Sequence, residues 1–201
     1  GHPVGIVTKS ALILRDLDIL ARLAERNLVK VALSVTTLDA KLARTMEPRA
    51  ATPGRRLEAL RQLSAAGIPT AVMVAPVIPA INDADIERIL DAAALAGVKS
   101  AGYVLLRLPL EVRDLFVEWL NANYPDRASH VMKLIRDMRG GKDYDSTWGT
   151  RMKGSGPYAW MIGRRFEQAC QRFGLNTEKA ILTTAHFHSP VPRAEQLSLF
   201  G

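Results

Sequence analysis

Four apolar runs constrain this chain more than any other feature. They are Val4 to Val7, Val29 to Val35, Thr70 to Ile78 and Ser100 to Leu106. The stretches between them carry apolar residues at helical spacing instead, as in Leu17, Leu20, Leu23 and Ala24. Near-continuous apolar strands alternating with helices are the pattern of a parallel sheet covered by helices. Crossovers of this kind are right-handed in nearly all cases. The expected class is α/β, with four βα units followed by a helical C-terminal part.

Local signals set the expected boundaries. A helix is expected from Ile13 to Asn27, with Asp16 and Asp18 near its positive end. A short one begins at Asp39 and ends before Glu47-Pro48-Arg49, because proline disfavours helix in the residue before it. Thr52-Pro53 reads as an N-cap with proline at the first helical position, and Gly67 as the stop. The third strand ends in Pro76, Pro79 and an Asn82-Asp83 turn; a helix then runs from Ala84 to Ala96 and stops at Gly97. Beyond Pro109 the alternation gives way to helices over Glu111–Asn123, Asp126–Met138 and Pro157–Phe173. Between the last two lies a polar, Gly-rich loop from Arg139 to Gly156. The expected divisions are 1–108, 109–188 and a mobile tail, 189–201.

Charge is uneven. The net charge is +7, and the segment from Asp126 to Arg172 holds ten Lys/Arg against five Asp/Glu. A basic C-terminal half favours an anionic partner such as nucleic acid. There Tyr144, Trp148, Tyr158 and Trp160 interleave with Arg151, Lys153, Arg164 and Arg165. Rings stack on bases and cations neutralise phosphates, so these four cations are nucleic-acid-binding candidates. The same aromatics could instead anchor the loop to the sheet, and the two roles are compatible. The longest apolar stretch, Thr70 to Ile81, is too short to span a bilayer. No leader is visible, and a cytoplasmic location without a membrane partner is expected.

In parallel βα sheets, ligands bind at the carboxyl ends of the strands. Those ends carry Lys9 after the first strand and Ser34 at the end of the second. An ammonium and a hydroxyl from adjacent strands can clamp a carboxylate or phosphate. The alternative is a solvated lysine and a turn-capping serine. Glu47, Arg49, Arg55 and Arg56 cluster after the second strand and could hold an anion or pair internally. His186 and His188 could face one way, but no third metal ligand is near them in sequence. Cys170, the one cysteine, reads as a small core residue; alone it excludes an intrachain disulfide or an all-cysteine metal site.

The tail ends in Gln196-Leu197-Ser198-Leu199-Phe200. A polar anchor followed by Leu and Phe on a mobile tail suits a docking peptide, although it could also pack back on its own domain. The pentapeptide resembles the motif by which bacterial polymerases and repair proteins dock on the DNA sliding clamp.

The rest resembles the spore-photoproduct-lyase-like, or DNA repair photolyase, branch of the radical SAM superfamily. The carrying residues are Ile6 to Ser10 with Leu14-Arg15-Asp16, Val31 to Thr36, and Met46 to Ala50. Arg55 to Leu60, Ala65 to Pro69 and above all Val74 to Asp83 continue the series. Trp148 to Gly154 looks like one subgroup of that branch. The resemblance implies a partial (βα)6 barrel that binds S-adenosylmethionine (SAM) at a [4Fe–4S] cluster and generates a radical, the cofactor carrying the hard chemistry. It further implies that Lys9 and Ser34 hold the SAM carboxylate. Val77, Ile78 and Pro79 would lie near the adenine, with Tyr103 and Leu105 along the same side. Glu47 and Arg49 would shape the site.

The family's Cys-x3-Cys-x2-Cys motif is not in this sequence, nor are the first two barrel strands. The expectation is therefore a C-terminal fragment of a DNA-repair enzyme, tethered to the sliding clamp and by itself unable to bind the cluster or act. Four strands alone would leave an inner face and an edge open. The alternatives are a radical SAM enzyme acting on RNA or protein, and a non-catalytic adaptor binding DNA and clamp.

Overall fold

Four strands, all parallel, lie in the order in which they occur along the chain. The structure, a computed structural model, describes residues 1–188. The strands are β1 (Val4–Thr8), β2 (Val29–Ser34), β3 (Thr70–Val77) and β4 (Ser100–Leu105). The helices are α1 (Leu17–Ala24), α2 (Ala40–Met46), α3 (Pro53–Ala65), α4 (Ile86–Leu95), α5 (Val112–Asn123), α6 (Pro125–Asp137) and α7 (Gly156–Arg172). The α/β class holds, in a form consistent with part of a TIM-like barrel. No helix among the described residues is long and apolar enough to cross a membrane.

Several boundaries sit where the local chemistry places them. Asp39 caps α2 by accepting from the Lys41 and Leu42 amides. Thr52 caps α3, and Pro53 occupies its first turn. Gly67 and Gly97 follow their helices at φ 75° and 86°, a backbone region open to glycine. Elsewhere the structure departs from expectation. The first helix begins as a 3-10 segment, Ala11–Asp16, capped by Ser10, and becomes α-helical only at Leu17. Ala84 likewise lies in a 3-10 turn, Asp83–Asp85, which precedes α4.

Pairing fixes which side chains share a face, because partners in register point the same way and neighbours along a strand alternate. Thr8 pairs with Leu33, Leu33 with Val72, and Val72 with Ala101. This outer face packs beneath the helices, and Val29, Val31, Leu33, Val72 and Val74 are essentially inaccessible there. Helix α7 completes that core with Ala159, Ile162, Phe166, Ala169 and Cys170. A second cluster joins Ile78 and Leu108 to Leu120 of α5 and Val131, Met132 and Ile135 of α6.

The inner face differs. By register it presents Gly5, Val7, Lys30, Ala32, Ser34, Ala71, Met73 and Gly102. A filled barrel packs Val, Ile and Leu into its interior; here small residues dominate and leave a cavity of ≈ 400 Å³ over the sheet. Gly102 lies close against Met73: a Cβ there would lie 2.9 Å from its sulfur, and the flexible thioether would have to shift.

The two edges of the sheet are treated unequally. On β4, the Asn176 side chain accepts from the Ala101 amide at 2.8 Å and donates to its carbonyl at 3.1 Å. The Leu105 amide donates to Met152 at 2.9 Å. Among the described residues strand β1 pairs only with β2.

Candidate functional site

Lys9 follows Thr8 and Ser34 follows Leu33, and those two residues are register partners. The register thus puts Lys9 and Ser34 side by side where β1 and β2 end. Ser34 is buried, whereas the Lys9 side chain keeps 40% of its surface. A long stem ending in a partly solvated ammonium can meet a ligand from solvent.

Glu47 organises the groups around them. Its Oε1 accepts from the Lys9 ammonium and, at 3.0 Å, from the Thr36 hydroxyl; Oε2 accepts from Arg56 Nη2 at 2.5 Å. Arg56 is 2% exposed and donates further to the carbonyls of Ala51 at 2.7 Å and Ser34 at 2.9 Å. Burial pushes the Glu47 carboxyl up, but the bonds and charges of Lys9 and Arg56 outweigh it and hold the carboxyl below its usual range. With two cations and one anion, the trio presents a net positive charge at the mouth of the sheet.

Asn82 braces the neighbouring turns. Its Oδ1 accepts from the Ile78 amide at 2.6 Å, and its Nδ2 donates to the carbonyls of Thr36 at 2.8 Å and Pro76 at 3.0 Å. Thr37 donates to Asp85 at 2.5 Å, and Thr36 to the Ala75 carbonyl at 3.2 Å. These bonds fix the loops after β2 and β3 to each other, which a binding site built on loops needs.

Of the expected cofactor residues, the structure brings Lys9, Ser34 and Glu47 together. Arg49 is exposed and outside this network, lining an open cleft with Ser10 and Arg55. Val77 packs in the main core, Ile78 in the second, and Pro79 is buried. Tyr103 pairs with Val74, one step beyond the Met73–Gly102 pair, so it sits on the outer face. There its ring lies 4.8 Å from Phe166 of α7. That face is opposite Ser34, and alternation along the strand is the reason.

Arg56 pairs with Glu47, one of the two alternatives expected for that cluster, whereas Asn82 reads in the sequence only as a turn residue. A signal for Arg56 existed: it shares its helical face with Ala59, Leu60 and Leu63, all fully buried. An arginine on such a stripe needs buried acceptors.

The basic segment divides into two groups. Arg165 binds Glu87 through two nitrogens, at 2.8 and 2.7 Å, and the Asp83 carbonyl at 3.0 Å, clamping α7 to α4. Tyr158 donates to Asp83 at 2.5 Å; burial and then that bond push its hydroxyl up to about 12. Arg164 pairs with Glu167 at 3.3 Å. By contrast, Trp148 is 81% exposed with the Arg151 guanidinium 4.1 Å from its ring centre, and Trp160 is also exposed. Lys153 lies over Tyr103. Anchoring and exposed aromatics therefore both occur.

Cys170 is buried on α7, and burial pushes its thiol up to about 11. Among the described residues no three His, Cys, Asp or Glu side chains gather where they could hold a metal. Residues 189–201, with the tail motif Gln196 to Phe200, lie outside the described residues.

Comparison with known proteins places the βα region. Residues 1–93 match the radical SAM superfamily. The chain is also 35% identical to an uncharacterized protein of Mycobacterium tuberculosis over 138 residues, which is 68% of this chain and 41% of the relative. An uncharacterized protein of Acidianus two-tailed virus is 40% identical over 74 residues, 37% of this chain and 24% of its own. An uncharacterized protein of Methanocaldococcus jannaschii is 28% identical over 123 residues, 61% and 44%. The chain thus spans about two fifths of the length of the mycobacterial relatives it matches. The radical SAM match runs from β1 into α4 and so includes Lys9, Ser34, Glu47 and Arg56. That superfamily as a class uses SAM and a [4Fe–4S] cluster. The residues described here suit the first at Lys9 and Ser34, but offer no thiolate set for the second.

Proposed function

We propose that this chain supplies the SAM-carboxylate half of a radical SAM enzyme site. The observation that carries this reading is the Lys9 ammonium at the end of β1, beside Ser34 and held by Glu47. One N–H of the ammonium serves Glu47, and the others can serve a ligand carboxylate. The inner face of the same sheet is built from small residues, and its cavity, lined by Gly5, Lys30, Ala32, Ala71 and Met73, lies toward the amino ends of the strands. A [4Fe–4S] cluster would supply the electron that cleaves SAM, and its ligands are no part of residues 1–188. The test is equilibrium binding of S-adenosylhomocysteine to the 201-residue chain and to Lys9→Met, with Ser34→Ala beside it. The variants should bind more weakly than the parent chain.

Within the superfamily, the order of motifs favours the spore-photoproduct-lyase-like branch and hence a role in DNA repair. The exposed Trp148–Arg151 pair supports nucleic-acid contact on the same grounds, and would serve an RNA substrate or a non-catalytic adaptor equally. Arg151→Ala with Lys153→Ala should weaken oligonucleotide binding and flatten its salt dependence by about two phosphate contacts. An unchanged slope removes this surface from the proposal. The tail Gln196 to Phe200 belongs to the proposal as a sliding-clamp tether. Equal clamp affinity for the chain and for Gln196→Ala/Phe200→Ala would end that part of it.

A further inference from the structure

Arg56, Arg107 and Arg139 stand partly or fully buried at the carboxyl ends of this sheet, and one is supplied unlike the others. Arg56 is held by Glu47 and two carbonyls. Arg139, 3% exposed, donates to four carbonyls: Leu105 at 3.3 Å, Leu106 at 2.9 Å, Thr150 at 3.2 Å and Arg151 at 2.8 Å. Both are accounted for by the fold they tie together. Arg107, two residues beyond the end of β4, binds no carbonyl and no carboxylate among the described residues. Its one oxygen acceptor is the Tyr144 hydroxyl, 3.0 Å from Nη2. Nη1 reaches only the Met152 sulfur, at 4.0 Å, and the buried Nε has no partner.

A guanidinium has five donors in a planar fork, and thioether sulfur is a weak acceptor. The nearby acids are engaged elsewhere. Asp143 is bound by Arg113 and Arg136, and Asp145 by Thr147 and Thr150. Burial lowers the Arg139 guanidinium, and the Arg107 charge lowers it further while Asp145 opposes. Two guanidinium groups close enough to repel therefore lie beside the end of β4, one with donors to spare. The Tyr144 hydroxyl accepts from Arg107, so its own proton is available to a second acceptor.

We propose that Arg107 and Tyr144 form a phosphate-binding site at the carboxyl end of β4. A phosphate oxygen would replace the Met152 sulfur at Nη1, and another would accept from the Tyr144 hydroxyl. Arginine suits this role because its fork matches phosphate oxygens two at a time. The site lies at the same end of the sheet as Lys9 but on the last strand instead of the first, so it would hold a substrate group and not the SAM carboxylate. It stands on its own whether or not SAM binds at Lys9.

The phosphate could belong to a small molecule or to a nucleic-acid strand, and titration of the 201-residue chain separates the two. The probes are inorganic phosphate, a nucleoside monophosphate, a four-nucleotide strand and that strand's methylphosphonate analogue. Arg107→Met should weaken every phosphate-bearing probe that the chain binds by about tenfold or more. Arg107→Lys should retain part of the affinity, and Tyr144→Phe should lose less than Arg107→Met. Lys133→Ala, at an exposed cation of α6, should leave inorganic phosphate binding unchanged. Binding of the monophosphate as tight as that of the strand assigns a small substrate; binding of the strand alone, lost in the methylphosphonate, assigns a diester. The thermal midpoint of each variant reports the fold, and Tyr144→Phe carries the test should Arg107→Met unfold. Equal affinities for Arg107→Met and the parent chain, or no phosphate binding at millimolar probe, overturns the site.

Discussion

Replacing Arg56 by leucine is expected to cost about 3–5 kcal/mol of stability, the range for breaking a buried ion pair from one side. The leucine would fit the apolar stripe of α3. The loss comes from what stays behind: Glu47 without its buried cation, and the Ala51 and Ser34 carbonyls without their donor. For a chain of this size the thermal midpoint should drop by about 10 °C. Urea unfolding measures it, and a loss under about 1 kcal/mol would show that Arg56 does not hold the hub. Changing Glu47 to leucine as well should restore part of the loss, because the stranded charge goes too.

The pH dependence follows from the same pair. Glu47 is held below its ordinary value in the folded chain, so its contribution is fully present above about pH 4.5. It is lost as the pH falls through the lowered value. Arg56→Leu should therefore be less sensitive to acid than the parent chain over that window, and denaturation curves at stepped pH would show it.

The second large effect concerns ligand binding. A charge-assisted hydrogen bond contributes about 1.5–3 kcal/mol, so Lys9→Met should weaken S-adenosylhomocysteine by roughly 10- to 150-fold. Methylthioadenosine, which has the nucleoside but no carboxylate, separates a lost contact from a collapsed pocket. Its affinity should be the same for Lys9→Met and the parent chain. Parallel losses for both ligands would mean that Lys9 supports the pocket and does not hold the carboxylate. Since Lys9 is the exposed member of its trio, the substitution leaves the buried Arg56–Glu47 bond in place.

Much of the frame was legible because it is local. Asp39, Thr52, Pro53 and Gly67 act on their own helices, and apolar runs mark strands whatever their neighbours are. The placement of Lys9 and Ser34 was legible: both stand at the carboxyl ends of adjacent strands. Register was not. Whether Tyr103 shares a face with Ser34 depends on how β3 slides against its neighbours, and a one-residue step reverses the answer. Internal pairing of Glu47 was legible as one of two alternatives, but which arginine makes it was not. Arg55 and Arg56 look alike in sequence, and only the packing of α3 turns one of them into the core.

Asn176 shows how little a sheet needs in order to stop. One carboxamide, offering an acceptor and a donor in the spacing of a peptide group, occupies the position that another strand would take along Ala101. With Met152 on the Leu105 amide, it makes the β4 side of the sheet a poor template for recruiting further chains. Among the described residues nothing comparable covers the β1 side, which keeps that capacity. Growth of this sheet, whether by legitimate partners or by aggregation, is thereby directional.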